Sequence, residues 1–355
     1  GRIGNGTHEY NVPLADGTFR SGALRAENLA CTAEDNLRPA VHVKDPRQPG
    51  VLEVRMPSSY VYLTGTLTFN AVVGSGGEVV ALFSDNNGLD WKELRRVTAS
   101  GDQTIDLKPL VLRRYDYRLR FVLKGKGTGL DALKVVHDIQ HSQRVLPALT
   151  QGKNTITFSV GAQEGTITIE GSLNPDHKGK QLLYTDFHPI LNNVEERLMR
   201  VKGAQGDVTF PIHTPGDMVR LRLGGHYRAR DAKDGWDIQV SFDEGKTFKT
   251  VDRFGGPTPG HCKYLTVSDI PPGTRKALVR WSGQQRNTTC AFSLRIDADY
   301  QQPHGGFRPV RITYVWEERG IEKRHVHIAR QPRETYYITC DSTPTMKSLI
   351  LELAE

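Results

Sequence analysis

The sequence predicts an all-β protein of two tandem β-sandwich (jelly-roll-like) domains, and three observations lead there. Glycine and proline supply 35 and 19 of the 355 residues, a turn-rich load suited to many short strands. Apolar and polar residues alternate with a period of two over segments bounded by Gly, Pro, Asn and Asp clusters. The pattern of the first half then recurs, in the same order, in the second.

Taken in chain order, strands are expected over residues 61–70, 78–84, 117–123, 132–137, 155–160 and 166–169. Further strands are expected over 218–228, 236–241, 277–281, 292–297, 310–315, 336–339 and 349–353. Each is rich in β-branched or aromatic residues, and turn clusters such as Asp85-Asn86-Asn87-Gly88, Asp234-Gly235 and Pro271-Pro272-Gly273 separate them. One helix is expected over 192–200, with Asn192 as its N-cap. No long helix alternates with the strands, so a doubly wound α/β enzyme is not expected.

The repeat joins three pairs of segments. VALFSDNNGLDW (80–91) matches IQVSFDEGKTF (238–248), with Ser84 over Ser241 at an offset of 157 residues. YRLRFVLKG (117–125) matches RKALVRWSG (275–283) at 158, and LKVVHD (133–138) matches LRIDAD (294–299) at 161. A boundary near residues 149–153 gives domains 1–150 and 151–355.

Composition narrows the partners. Against 40 acidic residues stand 47 basic ones, a net charge of +7 with pI near 9.2. So mild an excess permits polyanions without requiring them. No run of five basic residues and no RNA-recognition or zinc-finger signature occurs, so no nucleic-acid partner is expected. The longest apolar run, Val79 to Phe83, is too short to span a bilayer. Cys31, Cys262, Cys290 and Cys340 form no CxxC and fit no zinc spacing. Cys262 and Cys290 are the pair expected to lie closest, whether bridged or free. Beginning at Gly1 rather than Met, the chain reads as a piece of a larger secreted bacterial protein, extracellular or periplasmic.

The shared turn resembles the Asp box, Ser-x-Asp-x-Gly-x-Thr-Trp/Phe, of sialidases and of non-catalytic sandwich modules such as reelin repeats. Ser241, Asp243, Gly245, Thr247 and Phe248 match every defined position. In the first copy Ser84, Gly88 and Trp91 match, while Asn86 replaces the Asp and Asp90 the Thr. The resemblance implies a hairpin in which Asp or Asn accepts N–H bonds, Gly takes positive φ and the aromatic folds into the core. On that footing Trp91→Ala and Phe248→Ala should each cost about 3–5 kcal/mol. Sialidase activity is not implied. Propeller boxes recur roughly every 40–50 residues, and the Arg-Ile-Pro segment is missing, because Arg2-Ile3 is followed by Gly4.

Compact catalytic motifs are absent: there is no HExxH, GxSxG or P-loop. No cofactor is expected. EF-hand spacing fails, since a loop with Gly245 sixth would begin at Val240. A structural calcium of another kind stays open, with Asp297 and Asp299 as its candidates. His325 and His327 share one strand face, read as an exposed edge.

The most suggestive surface is the hairpin GHYRARDAKDGWD (225–237). Tyr227 and Trp236 are candidate stacking faces for a sugar, and Arg228, Arg230 and Asp234 candidate polar contacts. The expected function is non-catalytic carbohydrate binding, with a polysaccharide or glycan as partner. Two other readings stay open: a polysaccharide lyase or glycoside hydrolase with a dispersed site, and a structural or protein-interaction spacer.

Overall fold

The computed structural model describes residues 3–142, 147–171, 183–304 and 306–354. Its sheets are antiparallel and its few helical segments are short, so the all-β expectation is met. Alternation decides what each strand buries. In Thr66–Val72 the residues Leu67, Phe69 and Ala71 turn inward, and in Arg118–Lys124 Leu119, Phe121 and Leu123 do the same. Each such aliphatic or aromatic side chain contributes roughly 1.5–3 kcal/mol on burial.

Two pairs of sheets follow one plan. The first five-stranded sheet runs Ala23–Glu27, Gly50–Arg55, Arg118–Lys124, Glu78–Ser84, Lys92–Val97. The second runs Ile190–Asn192, Gln205–His213, Lys276–Gln284, Gly235–Ser241, Lys249–Gly255 in the corresponding order. Behind the first lies a seven-stranded sheet in which Gly101–Asp106, Thr66–Val72 and Gly129–Ser142 are neighbours, with Ile3–Asn11 also on the last of them. Behind the second lies a four-stranded sheet with the matching sequence Thr258–Val267, Met218–Ala229, Thr289–Gln301, Glu164–Gly171. Each pair of sheets shares one apolar core; Phe69 meets Phe121 across the first at 5.3 Å.

Residues 151–355, expected to form one sandwich, feed two cores. The second sheet pair accounts for one. The other, built on Leu149, Ile312, Tyr314, Trp316, Tyr336 and Ile338, lies between the sheet of Val310–Glu318, Ile321–Ala329 and Thr345–Leu353 and the pair Gly152–Ser159 with Arg333–Cys340.

Several expectations change. No helix forms over 192–200. Asn193, Leu198 and Met199 take positive φ, and Val194 pairs with buried Val201 in a small hairpin. The expected strand 61–70 is two strands, Val61–Tyr62 and Thr66–Val72. The ladder also shifts one offset of the repeat. Ser84 faces Arg118 while Ser241 faces Leu278, so these strands correspond at 160 residues and Arg120 is the counterpart of Arg280. No disulfide joins the four cysteines among the described residues. Cys262 and Cys290 lie on opposite sides of Met218–Ala229, facing His226 and Arg228, so a strand separates them.

Candidate functional site

The hairpin singled out in sequence is a packing element. Trp236 is fully buried, edge-on to Trp281 at 6.0 Å and pressed against Gly283, where a Cβ would come within 2.7 Å of the indole. Tyr227 is 3% exposed, and its hydroxyl donates to the Gly255 carbonyl at 3.0 Å. Arg228 lies over the Phe292 ring at 4.9 Å and donates to the Pro259 carbonyl. Asp234 is buried and accepts backbone N–H groups of Arg230, Asp231, Arg286, Asn287 and Thr288. Burial opposes its charge, but those N–H groups hold it below the usual carboxylate range and knit two loops together. Arg230 alone is exposed. The stacking assignment to Trp236 and Tyr227 is therefore corrected: this face of the strand points into the core.

The two box hairpins share one hydrogen-bond scheme. Ser241 Oγ donates to Asp243 Oδ1 at 2.7 Å and accepts from Gly245 N at 2.9 Å, and Thr247 N donates to the same Oδ1 at 3.0 Å. In the first copy Ser84 Oγ donates to Asn86 Oδ1, accepts from Gly88 N, and Asp90 N donates to Asn86 Oδ1. Gly88 and Gly245 take φ of +81° and +88°. The aromatics differ from expectation. Trp91 and Phe248 are only half-buried, outside both cores, each covered by an arginine of the neighbouring strand: Arg120 at 3.8 Å and Arg280 at 3.5 Å.

An exposed aromatic platform occurs elsewhere, on the outward face of the four-stranded sheet. Gly224 there stands between Tyr264 on one strand and Arg295 on the other. Lacking a Cβ, it lets the Tyr264 ring lie across the sheet; an added Cβ would sit 2.2 Å from the ring. The ring stays 62% exposed and borders a shallow groove of about 460 Å³ with Arg222, Thr266, Arg295 and Asp297. Its charges are matched. Arg222 donates to Asp299 at 2.9 Å, Arg295 to Asp297 at 3.0 Å, and Arg220 pairs with both Asp299 and Glu164. Burial raises the cost of charging Asp299, yet Arg222, Thr166 and Arg220 hold it below the usual range. The two aspartates considered for calcium thus serve arginines, and no cluster of metal-ligating side chains forms among the described residues. His325 and His327 lie on Ile321–Ala329, an outer strand of its three-stranded sheet, and stack on Tyr336 at 5.8 and 3.9 Å.

A cavity of about 1070 Å³ lies between the outward faces of the two five-stranded sheets, with both box hairpins on its wall. Its buried carboxylate, Glu53, is held by Arg118 at 3.1 Å and Arg120 at 2.8 Å.

No protein-family model and no curated protein matches this chain. Among solved structures, an isomalto-dextranase of Arthrobacter globiformis complexed with panose is 12% identical over 76% of this chain and 38% of its own, with a TM-score of 0.22. A β-glucuronidase of Ruminococcus gnavus is 10% identical over 88% and 45% respectively, at 0.23. A peptide-N(4)-(N-acetyl-β-D-glucosaminyl)asparagine amidase is 11% identical over 85% and 97%, at 0.22. This chain spans less than half of the first two, and scores this low establish no common fold. No helix among the described residues is long and apolar enough to cross a membrane.

Proposed function

We propose that the chain is a duplicated, jelly-roll-like β-sandwich that binds carbohydrate without turning it over, and that the Tyr264 platform is its recognition site. The observation that carries this reading is an aromatic ring lying across Gly224 with its outer face in solvent. A pyranose presents a flat patch of C–H groups that stacks on such a ring, while its hydroxyls need donors and acceptors at the rim. Arg222, Arg295, Thr266 and Asp297 supply both. Because each arginine already has a carboxylate, the site favours a neutral sugar over an acidic one. In the cavity between the five-stranded sheets the buried Glu53 is neutralised by two arginines rather than left free for acid–base work, which supports binding rather than hydrolysis. An extracellular or periplasmic setting goes with the reading, as does the resemblance of both hairpins to the Asp box.

A single shallow platform desolvates little area, so affinities of about 0.1–1 mM are expected. Calorimetry against neutral and acidic oligosaccharides should give heat with the native chain, stronger for neutral ones, and none with Tyr264→Ala. Cys262, exposed two residues along the same strand face, offers a second readout, for a bound sugar should slow its alkylation. Equal binding by Tyr264→Ala would remove the site. Accumulating reducing ends or unsaturated products would replace the binding reading with an enzymatic one.

A further inference from the structure

The cavity between the two five-stranded sheets carries a chemistry unlike that of the Tyr264 platform. Alternation in Gln205–His213 puts Val208, Phe210 and Ile212 in the core and turns His213 outward. The next strand places Lys276 directly opposite His213, on the same outward face. Across the gap stands Arg118, which gives one nitrogen to Glu53 while its buried Nε has no acceptor among the described residues. Burial, and then the cations Lys276, Arg118 and Arg275, keep the His213 imidazole below its ordinary pKa, so the field at this end is positive. Ile169, Phe187 and Phe242 give the wall an apolar stretch, while Arg25, Glu27 and Glu244 are the further charged side chains on it. A cavity with an apolar stretch and a few convergent polar groups is the usual form of a small-ligand site.

We propose that this inter-sheet cleft binds a carboxylate borne on an apolar body, the carboxylate meeting Lys276 and His213 and the body lying along Ile169, Phe187 and Phe242. The carboxylate supplies the negative charge the basic end lacks, and the body desolvates the apolar stretch. An acyl chain and an apolar peptide C-terminus both present that chemistry. The site is independent of Tyr264.

Calorimetry with octanoate and with N-acetyl-Leu-Phe separates the two sources, with octyltrimethylammonium and acetate as controls for charge and for apolar body. At least one of the first two should bind, and both controls should be weaker by about tenfold or more, the size of one charge-assisted contact. Lys276→Gln, an exposed change, should weaken the binder by about tenfold, Phe242→Ala should weaken it independently, and Tyr264→Ala should leave it unchanged. In NMR titrations the His213 midpoint should move upward on saturation, because a bound anion stabilises the imidazolium. Absence of binding by both carboxylates, equal binding of the ammonium control, or indifference to Lys276→Gln would each overturn the proposal.

Discussion

Truncating Trp236 removes a ring that fills the space between Trp281 and the Gly283 backbone. Trp236→Ala should therefore cost about 3–5 kcal/mol, seen as a lower urea midpoint at unchanged m-value. Tyr264→Ala, at an exposed ring, should stay within about 0.5 kcal/mol of the parent. A large loss at Tyr264, or a small one at Trp236, would reverse the assignment of platform and core. The contrast explains what could be read beforehand. Period-two alternation separates Tyr227 from Arg228, but does not say which parity faces the core, because arginines line one face and aromatics both ends of the hairpin. Tyr264 did leave a signal in the sequence: Gly224-Gly225 in the middle of a strand marks a place where a side chain or backbone must come close. Only the register shows that the partner is a tyrosine.

At the level of the hairpin, the two boxes have the same bonds but different acceptors. Thr247 and Ser241 pull the Asp243 carboxyl down to about 2, below the ordinary 3.8. A depressed folded-state pKa stabilises the hairpin above about pH 4, and that stabilisation is lost as pH falls from there through about 2. Asn86 has no such titration. Protection of the Gly245 and Thr247 amides against exchange should therefore fall between pH 5 and pH 2, while that of Gly88 and Asp90 through Asn86 is kept; equal loss at both would contradict the scheme. The Asn has a role of its own. Its amide donates to Asp90 and to the Asp186 carbonyl, and Asn87 donates to the Thr168 carbonyl, bonds that a carboxylate could not make. The hairpin geometry was legible because turn residues encode it locally. The place of its aromatic was not, since that depends on an arginine from another strand. With Trp91 and Phe248 half-buried beneath Arg120 and Arg280, alanine at either should cost about 1–2 kcal/mol in chemical denaturation, for a partial burial plus a cation–π contact.

For the molecule as a whole, the all-β class could be read from the alternation and the turn residues, whereas the contacts between the two sheet pairs could not, because residues far apart in sequence make that junction. Arg55 is its centre. It pairs with Asp116 at 2.5 Å, with both side chains largely buried, and reaches the Thr166 carbonyl on the four-stranded sheet. Burial pushes Asp116 upward even with Arg55 beside it; Arg55 is the main support of the charged form, with the Arg118 charge and the Tyr117 N–H adding to it. Arg55→Leu leaves the carboxylate without its guanidinium and removes the link to Thr166. It should cost about 3–5 kcal/mol, the usual loss when one member of a buried pair is deleted. Replacing both, as Arg55→Met with Asp116→Leu, removes the unpaired charge as well, and should recover most of the loss in the strands around residues 50–55 and 118–124. What the double variant cannot restore is the bond to the Thr166 carbonyl. Chemical denaturation followed by exchange of residues 164–171 distinguishes the two contributions. Recovered stability with persistent loosening of that strand is the expected outcome. If the double variant is as unstable as the single one, packing at the junction and not charge pairing holds the two halves together.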